Sequence, residues 1–285
     1  MLRSTSYPIA GGQLAALETG DLQTAEFSVV FLHGWMDNAA SFISVMAELQ
    51  QVWPTAHLCA VDLPGHGLSS HKADNHFYPF HHYIDDIYQF LAHFSPNRRI
   101  LVGHSLGALI ASCYSAAFPD QVVGLVQIEG LAPLSEAPEL SVERLRRGVL
   151  SRQRLRRKPE RGYRSFDQAV ERRAEANQIA APLITPVVER GIAQVDGQWR
   201  WRHDSALKGE SLYRMSPEHA EAIMAQIRCV QRVILGKRGY PHLKEDRRIY
   251  PDDRLEMFTI SGGHHCHLEQ PGLVAELILG LVNKI

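Results

Sequence analysis

Five residues, GHSLG at positions 103–107, set a hydroxyl between two glycines where the apolar run RRILVGH gives way to helix-forming residues. The pattern is G-x-S-x-G, a nucleophile elbow. Its glycines permit a turn too tight for larger side chains, and that turn lifts the Ser105 hydroxyl above the strand end. A helix beginning at Leu106 aims its free backbone N–H groups at the same spot. A serine hydroxyl is a poor nucleophile without a base, and the base needs an orienting acid. The base expected here is His264, in SGGHHCHLEQP at 261–271, where two glycines let the loop bend over a sheet edge. His265, Cys266 and His267 follow at once and raise metal binding as an alternative. Adjacent residues rarely point at one ion, and no carboxylate constellation elsewhere supports one, so neither a metal nor a cofactor is expected.

The acid is less plain. VQIEGLAP, residues 126–133, ends an apolar run on a lone carboxylate, Glu129. A charge at the tip of a buried strand is costly unless something nearby pairs with it. Neighbouring parallel strands end side by side, so Glu129 can reach a histidine above Ser105, and an imidazole N–H then compensates its burial. The alternative is Asp246, in the charged KEDRR run beyond RVILG. Folds of this kind often carry the acid after that later strand in a G-x-x-D pattern; here the segment reads GKRG, with Gly239 in the aspartate's place. Glu129 is favoured, against Asp246 and against a glutamate that merely caps the next turn.

These residues need a scaffold. FSVVFL (27–32), HLCAVDLPG (57–65), RRILVGH (98–104) and VVGLVQIE (122–129) read as strands. Helix-length segments at 41–52, 83–94 and roughly 106–117 alternate with them. Such alternation implies right-handed crossovers and a mainly parallel sheet covered by helices on both faces. YPIAGGQLAALETG, with its Gly-Gly turn, suggests an antiparallel hairpin at one edge. After Pro133 the rhythm breaks into arginine-rich helical patterns without obvious buried strands. It resumes with QRVILG (231–236), RLEMFTIS (254–261) and a closing helix at 271–282.

FLHGWMDNAASF, DLPGHGLSS, GHSLG and GGHHCHLEQP occur in this order, and on them the chain resembles an α/β-hydrolase. HGWMDNAASF, IEGLAP and WRWRHD are most similar to the serine hydrolase-like branch of that superfamily. The resemblance implies an oxyanion hole built from the backbone N–H groups of Trp35 and Leu106, each contributing on the order of 3 kcal/mol. His33 and Asp37 are expected to shape the first loop, and His66 to be a hydrogen-bonding loop histidine. An acid after the earlier strand also resembles haloalkane dehalogenases. Ser105 in the nucleophile's place argues against their chemistry and that of epoxide hydrolases, both of which need a carboxylate there. The activity implied is hydrolysis of a carboxylic ester through an acyl-enzyme. The same triad also serves C–C bond hydrolysis or acyl transfer, and some members of this fold only bind a ligand.

At 285 residues and 45% hydrophobic, the chain can bury a large core. The expected division is an α/β-hydrolase core of 1–133 and 229–285 with a helical lid inserted at 134–228. Net charge is −1, which gives no general reason to expect nucleic acid. From Arg144 to Arg173, however, 12 Lys/Arg stand against 3 Asp/Glu. A solvated helix face is the ordinary meaning of such a run, and attraction of an anionic small-molecule ester the sharper one. Trp199 and Trp201 are read as packing the lid or lining the acyl pocket. No apolar leader or membrane-length apolar stretch is evident, and the four cysteines lack a CxxC pair, so a cytoplasmic location is expected.

Overall fold

The computed structural model describes residues 2–73, 76–94, 98–157, 162–245 and 254–285. The opening segment forms the antiparallel hairpin β1 (Arg3–Ile9) and β2 (Gly12–Thr19) at the sheet edge. Then β3 (Phe27–Leu32), α1 (Ile43–Val52), β4 (His57–Val61), α2 (His82–Leu91), β5 (Arg98–His104), α3 (Leu106–Ala117) and β6 (Gly124–Ile128) follow in alternation. Every residue of β3, β4 and β6 is buried, the continuous apolar reading of strands covered on both faces.

Beyond β6 the chain leaves the sheet. It forms α4 (Ser141–Arg157), α5 (Phe166–Asn177), α6 (Ala181–Gly191), the hairpin β7 (Ile192–Val195) and β8 (Gln198–Trp201), and α7 (Pro217–Met224). It returns as β9 (Val230–Gly236), α8 (Pro241–Glu245), β10 (Leu255–Ile260), the one-turn α9 (Cys266–Glu269) and α10 (Pro271–Val282). The β7–β8 hairpin interrupts the mostly helical pattern expected of this stretch. Its turn is Asp196-Gly197, both with positive φ (50° and 73°), a strong short-range hairpin signal that was present in the sequence.

The eight-stranded sheet runs β1-β2-β4-β3-β5-β6-β9-β10, parallel from β4 to β10. Phe42, Met46 and Leu49 around α1 pack with Val274 and Ile278 of α10 on one face. Ile87 and Phe90 of α2 pack with Ile110 and Tyr114 of α3 on the other. Strand order and handed crossovers bring the C-terminal ends of β3, β5, β6 and β9 together along one rim.

The inserted segment has a small apolar core of its own, in which Val170 and Ala174 of α5 meet Ile184, Val187 and Val188 of α6. Trp199 and Trp201 pack against it. Buried charge joins the segment to the sheet. Arg190 of α6 donates from Nε to both oxygens of Asp62, each at 3.0 Å, and Asp62 also accepts the N–H groups of Ala39 and Leu68 at 2.7 Å. None of the four cysteines forms a disulfide, and among the described residues no helix is long and apolar enough to cross a membrane.

Candidate active site

The turn from β5 into α3 is as tight as the GHSLG pattern predicts. A Cβ on Gly107 would lie 1.9 Å from the Leu32 carbonyl oxygen, and one on Gly103 would lie 2.4 Å from Ala108 backbone atoms. Only glycine lets the helix sit this close to β3 and β5. Ser105 between them takes φ +49° and ψ −117°, a conformation that L-residues rarely hold. Its N–H is tied to the Ile128 carbonyl at 2.8 Å, so the elbow is braced by β6.

The HGW loop at the end of β3 passes directly over this turn: a Cβ on Gly34 would stand 3.3 Å from the Ser105 Cβ. His33 fixes the loop's base. Its Nδ1 donates to the Gly34 carbonyl at 2.8 Å, and its Nε2 accepts the Leu63 N–H at 2.9 Å. Burial pushes His33 down to about 4 and His66 to about 3, so both are neutral loop histidines rather than bases. Trp35 projects its ring outward, 54% exposed, with its indole N–H on the Leu207 carbonyl. Trp35 lines the cavity together with Ser105, the residue that precedes α3.

Glu129 lies at the end of β6, also at positive φ (+49°), with its side chain buried. Its carboxylate accepts from Gly236 N at 2.6 Å, Tyr240 N at 3.1 Å and His264 Nδ1 at 3.3 Å. Burial opposes its ionisation; the hydrogen bonds from His264 and the two main-chain donors outweigh that and hold it below the ordinary glutamate range. Gly239 is what makes room. A Cβ there would fall 2.0 Å from Glu129 Oε1, so the carboxylate fills the space that a side chain after β9 would take. Asp246, the alternative acid, lies outside the described residues.

His264 follows Gly262 (φ +120°) and Gly263 in the loop after β10. Its ring rests against Tyr240 at 4.4 Å between centroids and keeps 23% side-chain exposure. Burial lowers its affinity for a proton, while Glu129 works in the opposite direction, and the net position is below the usual histidine value. Ser105, His264, Gly34, Trp35 and Tyr240 thus line one cavity of about 590 Å³ that opens at the strand rim. A hydroxyl, an imidazole held at Nδ1 by a carboxylate, and main-chain donors at a helix start together make a set suited to acyl transfer.

This arrangement has relatives. The family model for the alpha/beta hydrolase fold matches residues 28–163. The chain has the α/β-hydrolase fold and is similar to members of that superfamily. A serine hydrolase-like protein of Danio rerio is 27% identical to it, over 88% of this chain and 79% of that one. An esterase of Mycobacterium tuberculosis is 26% identical, over 96% of this chain and 88% of its own. Among solved structures, a hypothetical protein from Pseudomonas aeruginosa PAO1 superposes with a TM-score of 0.88 at 26% identity, covering 99% of both chains. Within the superfamily the chain is most like the serine hydrolase-like branch.

One part of the site is not announced by any motif in the sequence. The histidines of HHCH do diverge: His264 turns to Glu129, His267 to the Ser41 hydroxyl at 2.9 Å, and Cys266 is packed in the core. His265, however, meets a carboxylate. Its Nε2 is 3.2 Å from Asp37 Oδ2, and His104, the residue before the serine, brings Nδ1 to 3.6 Å from the same oxygen. The expectation that no carboxylate accompanies these histidines is therefore corrected. Asp37 sits four residues past His33 in the HGWMD loop, and only the fold joins it to residues 104 and 265. Arg173 of α5 donates to its other oxygen at 2.5 Å. Burial raises the Asp37 carboxyl's pKa, but the neighbouring His265 and the Arg173 guanidinium hold it well below the usual range.

Proposed function

We propose that the protein is a serine hydrolase cleaving an uncharged small-molecule carboxylic ester through an acyl-enzyme. The observation that carries this reading is the His264 Nδ1–Glu129 pair on the wall of the cavity that also holds Ser105. In this scheme His264 Nε2 takes the Ser105 proton as Oγ attacks the ester carbonyl. The tetrahedral oxyanion is received by the N–H groups of Trp35 and Leu106. As it collapses the bond to the alkoxide oxygen breaks, and the imidazolium returns its proton to the leaving alcohol. Water, deprotonated by the same histidine, then attacks the acyl-serine and frees the acid. Glu129 holds the imidazole in the required tautomer and stabilises its charged form.

The segment 134–228 serves in this reading as a lid, since Arg173, Asn177 and Gln178 of that segment line the cavity. An uncharged ester is favoured because both arginines of the cavity are already engaged, Arg173 with Asp37 and Arg238 with Glu269 at 2.7 Å. The esterase among the relatives agrees with the class of reaction. Turnover of short 4-nitrophenyl esters by the purified protein tests the proposal. Ser105→Ala is expected to abolish it with the fold intact; turnover that survives this substitution would refute the assignment.

A further inference from the structure

We propose that Asp37 Oδ2, His104 Nδ1 and His265 Nε2 form an exchangeable site for a divalent transition metal of the zinc class on the cavity floor, and that its occupancy blocks turnover. The first half is independent of the hydrolase reading; the second rests on it. The three ligand atoms lie within 4.8 Å of one another, and all three residues are buried. Two edges of the triangle are 3.2 and 3.6 Å. A metal about 2.1 Å from each of two ligands at a tetrahedral angle separates them by roughly 3.4 Å, so these edges need little movement to close on an ion. Two imidazoles and a carboxylate suit zinc, nickel or copper rather than calcium or magnesium.

A second observation points the same way. His104 Nε2 is 2.8 Å from the His264 carbonyl, an oxygen that only accepts, so this nitrogen carries the ring hydrogen. In the neutral ring Nδ1 is then a bare lone pair. It is buried, without a hydrogen-bond partner, in a residue 1% exposed, and it faces a carboxylate oxygen. Lone pair against carboxylate is repulsive, and a cation between them turns it into two bonds. The outer arrangement also fits. A metal-binding histidine ordinarily gives its other N–H to a backbone carbonyl, as His104 does. Arg173 holds Asp37 by Oδ1, while Oδ2 faces His265 at 3.2 Å and takes a long hydrogen bond from the Ser41 hydroxyl at 3.4 Å, which an ion can displace.

Two features make the site exchangeable rather than permanent. The Arg173 guanidinium opposes a further positive charge beside Asp37. Asn177, 2.9 Å from His265 Nε2, must turn aside when an ion arrives. Access is through the cavity, which Asp37, His104 and His265 line together with Ser105 and His264. A bound ion with its water would occupy the floor on which the ester must settle.

Titration of the purified chain with Co2+, whose tetrahedral complexes absorb strongly in the visible, reads the site without reference to catalysis. Zn2+ competition and inhibition of ester turnover read its consequence. One Co2+ per chain, displaced by Zn2+, with the affinity lowered at least tenfold in both His265→Gln and Asp37→Asn, is the expected result. Circular dichroism checks the fold of each variant; should Asp37→Asn not fold, His104→Asn takes its place. No visible band, or a band of equal affinity in the variants, would overturn the site and assign any bound ion to surface histidines. Binding as expected with ester turnover unchanged at saturating Zn2+ would overturn the inhibitory role alone. Binding as expected in a protein that hydrolyses no ester would uphold the metal site while removing the hydrolase reading.

Discussion

Replacement of Glu129 by glutamine discriminates most sharply among the roles open to that residue. Both carboxylate oxygens are acceptors: Oε1 for Gly236 N at 2.6 Å, Oε2 for Tyr240 N at 3.1 Å and His264 Nδ1 at 3.3 Å. A glutamine offers one acceptor and one donor. The shorter bond to Gly236 keeps the amide oxygen at the Oε1 position, which turns the NH2 toward Tyr240 N and His264. His264 Nδ1 must then accept, and the ring hydrogen moves to Nε2, where the Ser105 proton has to go. A wrong-tautomer block of this kind lowers kcat by roughly 10³–10⁴, equivalent to about 4–5.5 kcal/mol of barrier. The lost Tyr240 bond adds a stability cost of about 1–3 kcal/mol. Steady-state kinetics on a short 4-nitrophenyl ester, paired with urea unfolding, separates the two effects. The expected signature is a collapse of kcat with KM nearly unchanged and a modest loss of stability. A variant that retains kcat within tenfold of the parent would refute Glu129 as the orienting acid and leave it the structural role of capping the turn after β9 through Gly236 N and Tyr240 N.

Three further outcomes follow from the same geometry. A Cβ on residue 239 would stand 2.0 Å from Glu129 Oε1, so Gly239→Asp alone is expected to inactivate. Combined with Glu129→Gly, which suits the positive φ at that position, it should restore at least tenfold over Glu129→Gly alone; no recovery would show that the two positions do not share one carboxylate site. The pH profile of kcat/KM reports His264, which must be neutral to act. Since burial carries its pKa below the ordinary 6.5, the rate should rise with pH through a midpoint under that value and be level at neutrality, and a midpoint above it would contradict the environment described. Arg190→Ala strands the buried Asp62 carboxylate between the sheet and α6. A loss of about 3 kcal/mol, or roughly 6–12 °C in Tm, is expected by calorimetry, and a shift of under 2 °C would mean that the pair holds nothing in place.

Much of this architecture could be read from the chain because its determinants are local. β3, β5 and β9 are apolar runs bounded by glycine or histidine, and the elbow's glycines are required by approaches of 1.9–2.4 Å that only the G-x-S-x-G spacing satisfies. Glu129 was legible from its cost: a carboxylate ending a buried strand demands a partner, and Gly239 marked the vacancy it fills. What was not legible depends on contacts remote in the chain. The arginine-rich insertion reads as net charge, yet Arg144 is spent on Glu136 and Arg173 on Asp37. The second pairing arises only when α5 is laid over the loop after β3. The Asp37–His104–His265 cluster escaped for the same reason. Each member sits beside a more conspicuous residue, and none lies within sixty positions of the next.

Covalent labelling by a fluorophosphonate followed by peptide mass mapping tests the nucleophile most directly. A single adduct on Ser105, absent after heat denaturation and absent in Ser105→Ala, is the result expected. A native protein that takes up no phosphonate, or carries it on another residue, would contradict the claim that Ser105 is an activated nucleophile.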